Sequence, residues 1–544
     1  MQERLRKIIE QIEARPLTLG TWAVTLLAII IGRIWIENTL ESLRFVFADE
    51  FFYQFSHHLF TFGTIYLFAL PVVVWAGRVS LKQAANLLLA GFFLIWTPPI
   101  IDEIISRGAG FWSFYTFDSL AGLVQRYFTF FGDQPDVGIT YGIRVEVFLA
   151  IVFVALYAWV KTRSFSRAIS AAIILYTLLF LMGALPSIAT LLIIGPNIGF
   201  LSVTEHDVAR FILSPTPLFG LDPPSIARVI SIKMSLIYST FILPLIAALI
   251  FTFFRRIFWE LVNNIRFPQL LYHVGLLFIG AGLASFYGES IWIADFFHFS
   301  GVLVLTIAVS CAWLASVVVN DLRDVDIDRI TNRHRPLVTG AIDVPTYRTI
   351  GLLLFAGSIF LAGLVSTQAA LLLVLYQALA WVYSADPLRL KRIPIVATAL
   401  AAMASLLILF AGFIVFSAEK NISALPVSIP VLLFFAYLAI IPIKDLKDIE
   451  GDCADSVRTL PVIWGEDRAK RFIGAAVFIV FALSPFVLSI RSLFPLGLFF
   501  GALGYWLLQL SSADHRYLAY RKLPGWFLLL ATGYGAFLAA ALSR

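Results

Sequence analysis

The sequence predicts an all-α, multi-pass membrane protein in which a nine-helix bundle is preceded by a six-helix membrane module. Hydrophobic residues make up 60% of the 544 residues and charged residues only 14%. Many apolar runs reach the length of about 20 residues that a helix needs to cross a bilayer. Basic residues gather in short loops between these runs, as is typical of membrane proteins. A soluble globular fold is therefore excluded.

The formal net charge of +6 does not indicate a nucleic-acid partner, because the Lys and Arg residues are confined to loops between apolar spans. The two cysteines, Cys311 and Cys453, provide neither a disulfide framework nor a cysteine-rich metal site. The charged segment at residues 1–16 lacks the apolar core of a signal peptide, and we expect it to form a surface helix before the first span.

Residues 1–258 are predicted to form the six-span module, whose role the sequence does not indicate. Its long loops, rich in aromatic and acidic residues, are expected to be interfacial or re-entrant. The predicted spans are 20–36, 59–77, 84–101, 144–160, 168–188 and 232–253.

Residues 259–544 are predicted to form the nine-span bundle. The loops after its second, fourth, sixth and eighth spans are basic, whereas the others are short and nearly neutral, so the basic loops are expected to be cytoplasmic. The predicted spans are 266–286, 297–318, 347–365, 368–383, 395–417, 426–443, 470–490, 494–510 and 524–542.

Two aspartate-rich segments, at 320–329 and 444–452, interrupt this apolar sequence. Each has aspartates spaced i, i+3 and i+7, which at helical pitch share one face, whereas Asp326 and Glu450 fall on the opposite side. Carboxylates are costly near lipid, and two such triplets are typical of a Mg²⁺ site that holds a diphosphate. The triplets are Asp321, Asp324 and Asp328, and Asp445, Asp448 and Asp452.

These segments resemble the aspartate motifs of the UbiA superfamily of intramembrane prenyltransferases. NDLRDVDID at 320–328 is similar to that family's N-D-x-x-D-x-x-x-D motif, with Asn320 as the first residue, and RPLVTG at 335–340 resembles the segment that follows it. The second motif is continued by RTLPVIWG at 458–465, and YSADPLRLKR at 383–392 resembles the loop between them, although Asp386 replaces a proline. The resemblance covers about 259–544, and no family resemblance is recognised for residues 1–258.

The resemblance implies that both triplets and Asn320 form the catalytic set, with Mg²⁺ as the cofactor held by the six aspartates. It further implies a prenyl diphosphate donor, a hydrophobic or aromatic acceptor and surrounding membrane lipid. Metal-held diphosphate would leave the allylic carbon, and the acceptor itself would attack it, so no protein nucleophile is needed. The residues expected to bind substrate are Arg335, Tyr383, Lys391, Lys444 and Arg458.

Other interpretations remain open at this stage. The aspartates could be solvated helix caps, and Arg335 lies in a basic run that could serve only topology. The same family allows a reversed reaction, with a phosphoribosyl donor and a polyprenyl phosphate acceptor. A lipid transporter could reuse the fold, whereas a CDP-alcohol phosphotransferase would need a D-G-x-x-A-R core that is absent from the sequence.

Polar residues in the N-terminal half suggest a second site without defining one. His57 and His58 are adjacent, which makes a shared metal ion improbable. Asp102 follows a WTPP segment, and Arg33 lies inside the first predicted span. An intramembrane arginine needs an acidic partner or must extend to the interface, and the sequence does not decide between them.

Overall fold

A computed structural model describes residues 2–42, 49–106, 115–132, 139–214, 226–287, 295–447, 449–454, 457–513 and 515–542. Within these ranges the chain is helical, with no β-strand. Helices satisfy their backbone hydrogen bonds internally, which an apolar chain in lipid requires. The predicted all-α class is confirmed.

The chain divides into two compact units. The first comprises residues up to 258 together with 295–301 in the described part, and the second comprises 259–287 and 302–542. The helices of the first unit are α1 (Gln2–Glu13), α2 (Leu19–Ser42), α3 (Asp49–Gly77), α4 (Leu81–Phe92), α5 (Thr97–Ser106), α6 (Leu120–Phe128), α7 (Tyr141–Thr162), α8 (Phe165–Gly183), α9 (Leu185–Ile198), α10 (Glu205–Leu213) and α11 (Ile226–Phe253).

A nine-residue helix, α12 (Arg255–Asn263), carries the chain across the division between the units. The helices that follow are α13 (Phe267–Tyr287), α14 (Phe296–Arg323), α15 (Val325–Thr331), α16 (Val344–Val365), α17 (Thr367–Ser384), α18 (Pro394–Phe416), α19 (Ser428–Ile440), α20 (Ile449–Ala454), α21 (Leu460–Trp464), α22 (Glu466–Val487), α23 (Phe494–Leu510) and α24 (Leu523–Leu542).

Among the described residues, 14 helical stretches are long and apolar enough to cross a membrane. Six of them lie before residue 258, and each coincides with a predicted span. Eight lie after it, and α24 occupies the ninth predicted span as a helix of 20 residues. The protein is an integral, multi-pass membrane protein, with span boundaries within a few residues of those predicted in most cases.

The N-terminal helix α1 is anchored to the first unit. Its Glu13 is 3% exposed and accepts hydrogen bonds from Lys161 Nζ at 2.8 Å and Tyr157 Oη at 2.9 Å. Asn86 donates to the backbone carbonyl of Glu13 at 3.2 Å. The charged segment therefore forms the predicted helix, but its last turn is buried rather than lying wholly on the surface.

Close approach of α13 and α18 depends on two glycines. A Cβ at Gly280 would lie 1.9 Å from the carbonyl oxygen of Leu409, and a Cβ at Gly412 would lie 2.0 Å from that of Leu277. Small residues allow helix backbones to come together in a membrane, where hydrophobic burial provides little drive for association. This contact holds α13 beside α18 in the second unit.

The chain direction brings the polar segments of the second unit to one end of its bundle. Helices α14, α17 and α19 end there, whereas α13, α16 and α18 begin there. The short helix α15 lies within 8 Å, between Cα atoms, of α20. Alternating antiparallel spans therefore gather the loops that carry both aspartate segments.

The side of the membrane on which these loops lie is a prediction that cysteine labelling can test. Cys453 is exposed and belongs to a basic loop, whereas Thr129 lies in a loop predicted to be on the opposite side. In a Cys311→Ser protein, an impermeant maleimide should label Cys453 from the cytoplasmic side of sealed vesicles. A second protein keeps Cys311→Ser and carries Cys453→Ser and Thr129→Cys. The maleimide should label the cysteine introduced into this protein only from the opposite side of the vesicles. Labelling of both from one side would show that the assigned topology is wrong.

Candidate active site

The first aspartate triplet lies where α14 ends. Residue Asp324 has φ −104° and ψ 17° and separates α14 from α15, so the helix is interrupted rather than continuous as expected. Asp324 occupies the N-cap position of α15, which aspartate favours, but its carboxylate makes no cap bond there. The backbone N–H of Asp328 still donates to the Asp324 carbonyl at 2.8 Å. Asp321, Asp324 and Asp328 are only 2%, 8% and 4% exposed.

Asp321 is surrounded by donors on both carboxylate oxygens. Oδ1 accepts from Arg266 Nη2 at 2.6 Å and from Arg335 Nη1. Oδ2 accepts from Asn264 Nδ2 at 3.0 Å and from Tyr347 Oη at 2.9 Å. A carboxylate accepts about four hydrogen bonds, so the capacity of Asp321 is filled. In this arrangement Asp321 positions Arg266 and Arg335, and it would have to exchange a donor to bind a metal ion.

The negative charge of the Asp324 carboxylate is balanced by two cationic side chains from the loop between α17 and α18. Lys391 Nζ lies 2.6 Å from both carboxylate oxygens, and Arg389 Nη2 donates to Oδ1 at 3.0 Å. All three side chains are less than 14% exposed. Burial of ions is costly unless they are paired, and the two cations meet this requirement.

Asp328 is the least compensated member of the triplet. It accepts a hydrogen bond from Asn332 Nδ2 at 2.8 Å, but its nearest cation, Arg335 Nη2, is 3.9 Å away. Burial, followed by the nearby charges of Asp321 and Asp324, raises its pKa to about 6 despite the Asn332 hydrogen bond. A further cation at this carboxylate would therefore stabilise its ionised form.

Other predicted site residues border the triplet. Asn320 accepts a hydrogen bond from Ser384 Oγ at 3.4 Å, which links the ends of α14 and α17. Lys444 Nζ lies 3.3 Å from Tyr383 Oη and 5.6 Å from the centre of its ring. Lys444 therefore connects the end of α17 with the start of the second aspartate segment. Arg458 is exposed, one residue after the buried Val457.

The second triplet is only partly described. Asp445 is half-buried in a 3-10 helix, Ile441–Lys447, rather than in the expected α-helix. Asp448 lies outside the described residues, and so does the side chain of Asp452 in α20. The proximity of α15 and α20 nevertheless brings the two segments together.

Sequence reasoning missed four residues that contact the first triplet. Arg266 and Asn264 precede α13, Tyr347 lies in the first turns of α16, and Arg389 precedes Lys391. The sequence offered one indication of their role. Each is a polar residue at or near the boundary of a predicted span, at the end of the bundle where the aspartates lie. The contacts join residues that are 26 to 65 positions apart, and no local pattern encodes such pairs.

The chemistry of the donors fits Mg²⁺, although the side chains are arranged around cations. Three buried carboxylates supply hard oxygen donors, and Asp328 has uncompensated charge. In the part of the chain that the structure describes, no three His, Cys, Asp or Glu side chains are grouped closely enough to hold a metal ion. This observation is consistent with the contacts, since Lys391 and the arginines occupy the oxygen atoms that a metal would use. Around the first triplet, three carboxylates meet four cations, so an anion could balance the excess positive charge. These cations are Arg266, Arg335, Arg389 and Lys391.

The fold and the site define a helical membrane protein that buries a cluster of carboxylates and cations where its spans end. The sequence model of the UbiA prenyltransferase family matches residues 276–530. This match confirms the resemblance that the motifs indicated for the C-terminal region.

Several known proteins are similar to parts of this chain. A digeranylgeranylglyceryl phosphate synthase of Methanoculleus marisnigri is 34% identical over 173 residues, which cover 31% of this chain and 59% of that protein. The chloroplastic chlorophyll synthase of Arabidopsis thaliana is 32% identical over 31% of this chain and 45% of its own length. The matched segments thus span less than two thirds of either relative. A UbiA homologue from Archaeoglobus fulgidus, solved with DMAPP and Mg²⁺, is 21% identical with a TM-score of 0.39, over 51% of this chain and 98% of its own.

Proposed function

We propose that the second unit transfers a prenyl group, with Mg²⁺, from a prenyl diphosphate to a lipid-type or aromatic acceptor in the membrane. The observation that carries this proposal is the burial of Asp321, Asp324 and Asp328 in contact with four cations at the end of the bundle. Buried ions of both signs suit a ligand that brings both a metal and an anion. The match of residues 276–530 to the UbiA prenyltransferase family supports the same reaction class.

In this proposal the carboxylates bind the metal ion and the cationic side chains bind the diphosphate. Asp324, Asp328 and the second triplet would hold Mg²⁺, which when bound stabilises the negative charge that develops on the departing diphosphate. Lys391, Arg389 and Arg335 now contact carboxylates, and they would turn to the diphosphate oxygens once a metal takes their place. Asp321 would keep Arg266 and Arg335 at the site. Lys444, beside Tyr383, would add positive charge from the second segment.

The apolar spans of the bundle would sheathe the prenyl tail and exclude water from the allylic carbon. Water would capture the electron-poor carbon and waste the donor as an alcohol. By their names, the two relatives are synthases of different products, digeranylgeranylglyceryl phosphate and chlorophyll, so they favour a lipid-soluble acceptor without selecting one. The proposed site faces the cytoplasm, in accordance with the basic loops that carry it.

Turnover by the purified full-length protein tests the proposal. With Mg²⁺ and geranylgeranyl diphosphate, we expect diphosphate to be released together with a prenylated product from a panel of acceptors, identified by mass spectrometry. Addition of EDTA should abolish release, and excess Mg²⁺ should restore it. A transporter would release no diphosphate, and a phosphoribosyl transferase would consume a phosphoribosyl donor instead. Either result, or full turnover in EDTA, would refute the proposal.

A further inference from the structure

The first unit contains an elongated cavity of about 500 Å³, a size typical of small-molecule sites. Its wall follows α3 from His57 to Val73, which at 1.5 Å per residue is a length of about 24 Å. Apolar and aromatic side chains form most of the lining, and α1 contributes Leu5 and Ile9. Protein interiors are close-packed, so an apolar hollow of this size is suited to a hydrophobic ligand.

Polar side chains are concentrated where α3 begins. Arg33 and Glu37, 2% and 4% exposed, form an ion pair at 2.9 Å between Nη1 and Oε2. His58 Nε2 lies 3.1 Å from the same Glu37 oxygen. His57 Nε2 forms a hydrogen bond with Tyr115 Oη. The intramembrane arginine thus has its acidic partner, and the adjacent histidines bond to different partners.

Glu146 gives this end of the cavity a group that can bind a ligand. It lines the cavity from α7 and, within the described residues, makes no hydrogen bond or ion pair. Arg33 interacts electrostatically with both Glu146 and Asp102. One arginine therefore faces three carboxylates, counting Glu37. Because the Arg33 guanidinium is shared among these three carboxyl groups, it is poorly placed to bind an anionic head group such as a diphosphate, whereas a hydroxyl group could donate to Glu146.

The opposite end of the cavity is apolar. Ile9 of α1 packs there with Leu70 and Val73 of α3, and the buried Glu13–Lys161 ion pair keeps α1 in place. The hydrocarbon core of a bilayer is about 30 Å thick across two leaflets, so a cavity of about 24 Å accommodates a tail that would otherwise occupy one leaflet.

We propose that this cavity binds an amphiphile with an uncharged hydroxylated head and a prenyl or acyl tail, with the head at Glu146 and His57 and the tail along α3 toward α1. The site is separate from the carboxylate cluster of the second unit and does not depend on the reaction proposed for it. It assigns to the six-span module the binding of a neutral lipid.

Photo-crosslinking of the full-length protein tests this site. The probe is geranylgeraniol carrying a diazirine at the far end of its tail, used in EDTA. We expect labelling of peptides containing residues 5–12 and 69–73, blocked by excess geranylgeraniol but not by the same concentration of geranylgeranyl diphosphate. Labelling confined to residues 259–544, or equal competition by the diphosphate, would overturn the proposal.

Two variants and a matched control sharpen the test. Ala150→Phe fills the cavity between its ends and should abolish labelling of α1. Glu146→Leu removes the hydrogen-bonding partner and should raise the alcohol concentration for half-maximal competition by about tenfold. Glu103→Leu changes a glutamate that does not line the cavity and should match wild type. Each protein must elute as one species with an unchanged unfolding temperature. Undiminished labelling of α1 in folded Ala150→Phe protein, or an unchanged half-maximal competing concentration in folded Glu146→Leu protein, would overturn the proposal.

Discussion

Replacement of Asp324 by asparagine is expected to lower Mg²⁺-dependent diphosphate release by at least about a hundredfold, the scale seen when one preorganised charge-stabilising group is lost. Lys391 and Arg389 both bond to this carboxylate. Asparagine has one neutral oxygen and places its amide N–H groups against these cations. It thus removes a charged metal ligand and disturbs the residues expected to bind diphosphate.

The same segment offers a matched control in Asp326→Asn. The Asp326 side chain is 92% exposed and pairs with Arg329, at 2.8 Å. Exposed substitutions of this kind change free energies little, so release should stay within about twofold of wild type. Release would be measured by a phosphate-coupled assay on monodisperse protein. If both variants release diphosphate at the wild-type rate, the assignment of Asp324 is contradicted. If both lose activity to the same extent, the loss reflects a general effect of charge rather than a role of Asp324.

Replacement of Arg335 by glutamine is expected to lower kcat/KM for the prenyl diphosphate by about 10- to 100-fold, since a hydrogen bond to a charged group contributes about 1.5–3 kcal/mol. Arg335 is 12% exposed and reaches toward Asp321 and Asp328 with separate nitrogens. Lysine cannot reproduce this planar, two-pronged geometry, so Arg335→Lys should restore little activity.

Arg333→Gln is the control for Arg335, because it removes the same charge from the same run. Arg333 is exposed, whereas Arg335 is largely buried. Steady-state kinetics should show the loss for Arg335→Gln and near-normal values for Arg333→Gln. Similar losses in both proteins would mean that the run acts through its total charge, as a topology signal would.

The sequence was sufficient to predict the spans and the end of the bundle at which the aspartates gather. Both depend on local properties, since apolar length defines a span and alternation along the chain decides which ends are adjacent. The exposure of Asp326 also followed from helical spacing. By contrast, Lys391 and Arg389, which hold the carboxylate of Asp324, lie more than 60 residues away from it along the chain.

The partners of Asp321 and of Arg33 also could not be predicted from the sequence. Tyr347 and Arg266 are unremarkable interfacial residues until the fold brings them to Asp321. Arg33 was conspicuous in its span, but the sequence did not identify Glu37, one turn later, as its buried partner rather than a residue on another helix. Charge near lipid therefore indicates where a site lies, and tertiary packing decides which residues form it.

The central claim is that the carboxylate and cation cluster binds metal and diphosphate together. Calorimetric titration of the full-length protein with geranylgeranyl thiodiphosphate, a poorly reactive donor analogue, tests this claim without an acceptor. With Mg²⁺ we predict saturable binding near one per chain, strongly weakened by EDTA and by Asp324→Asn but retained in Asp326→Asn. Binding of equal affinity with Mg²⁺ and with EDTA, or undiminished binding by Asp324→Asn, would contradict the account.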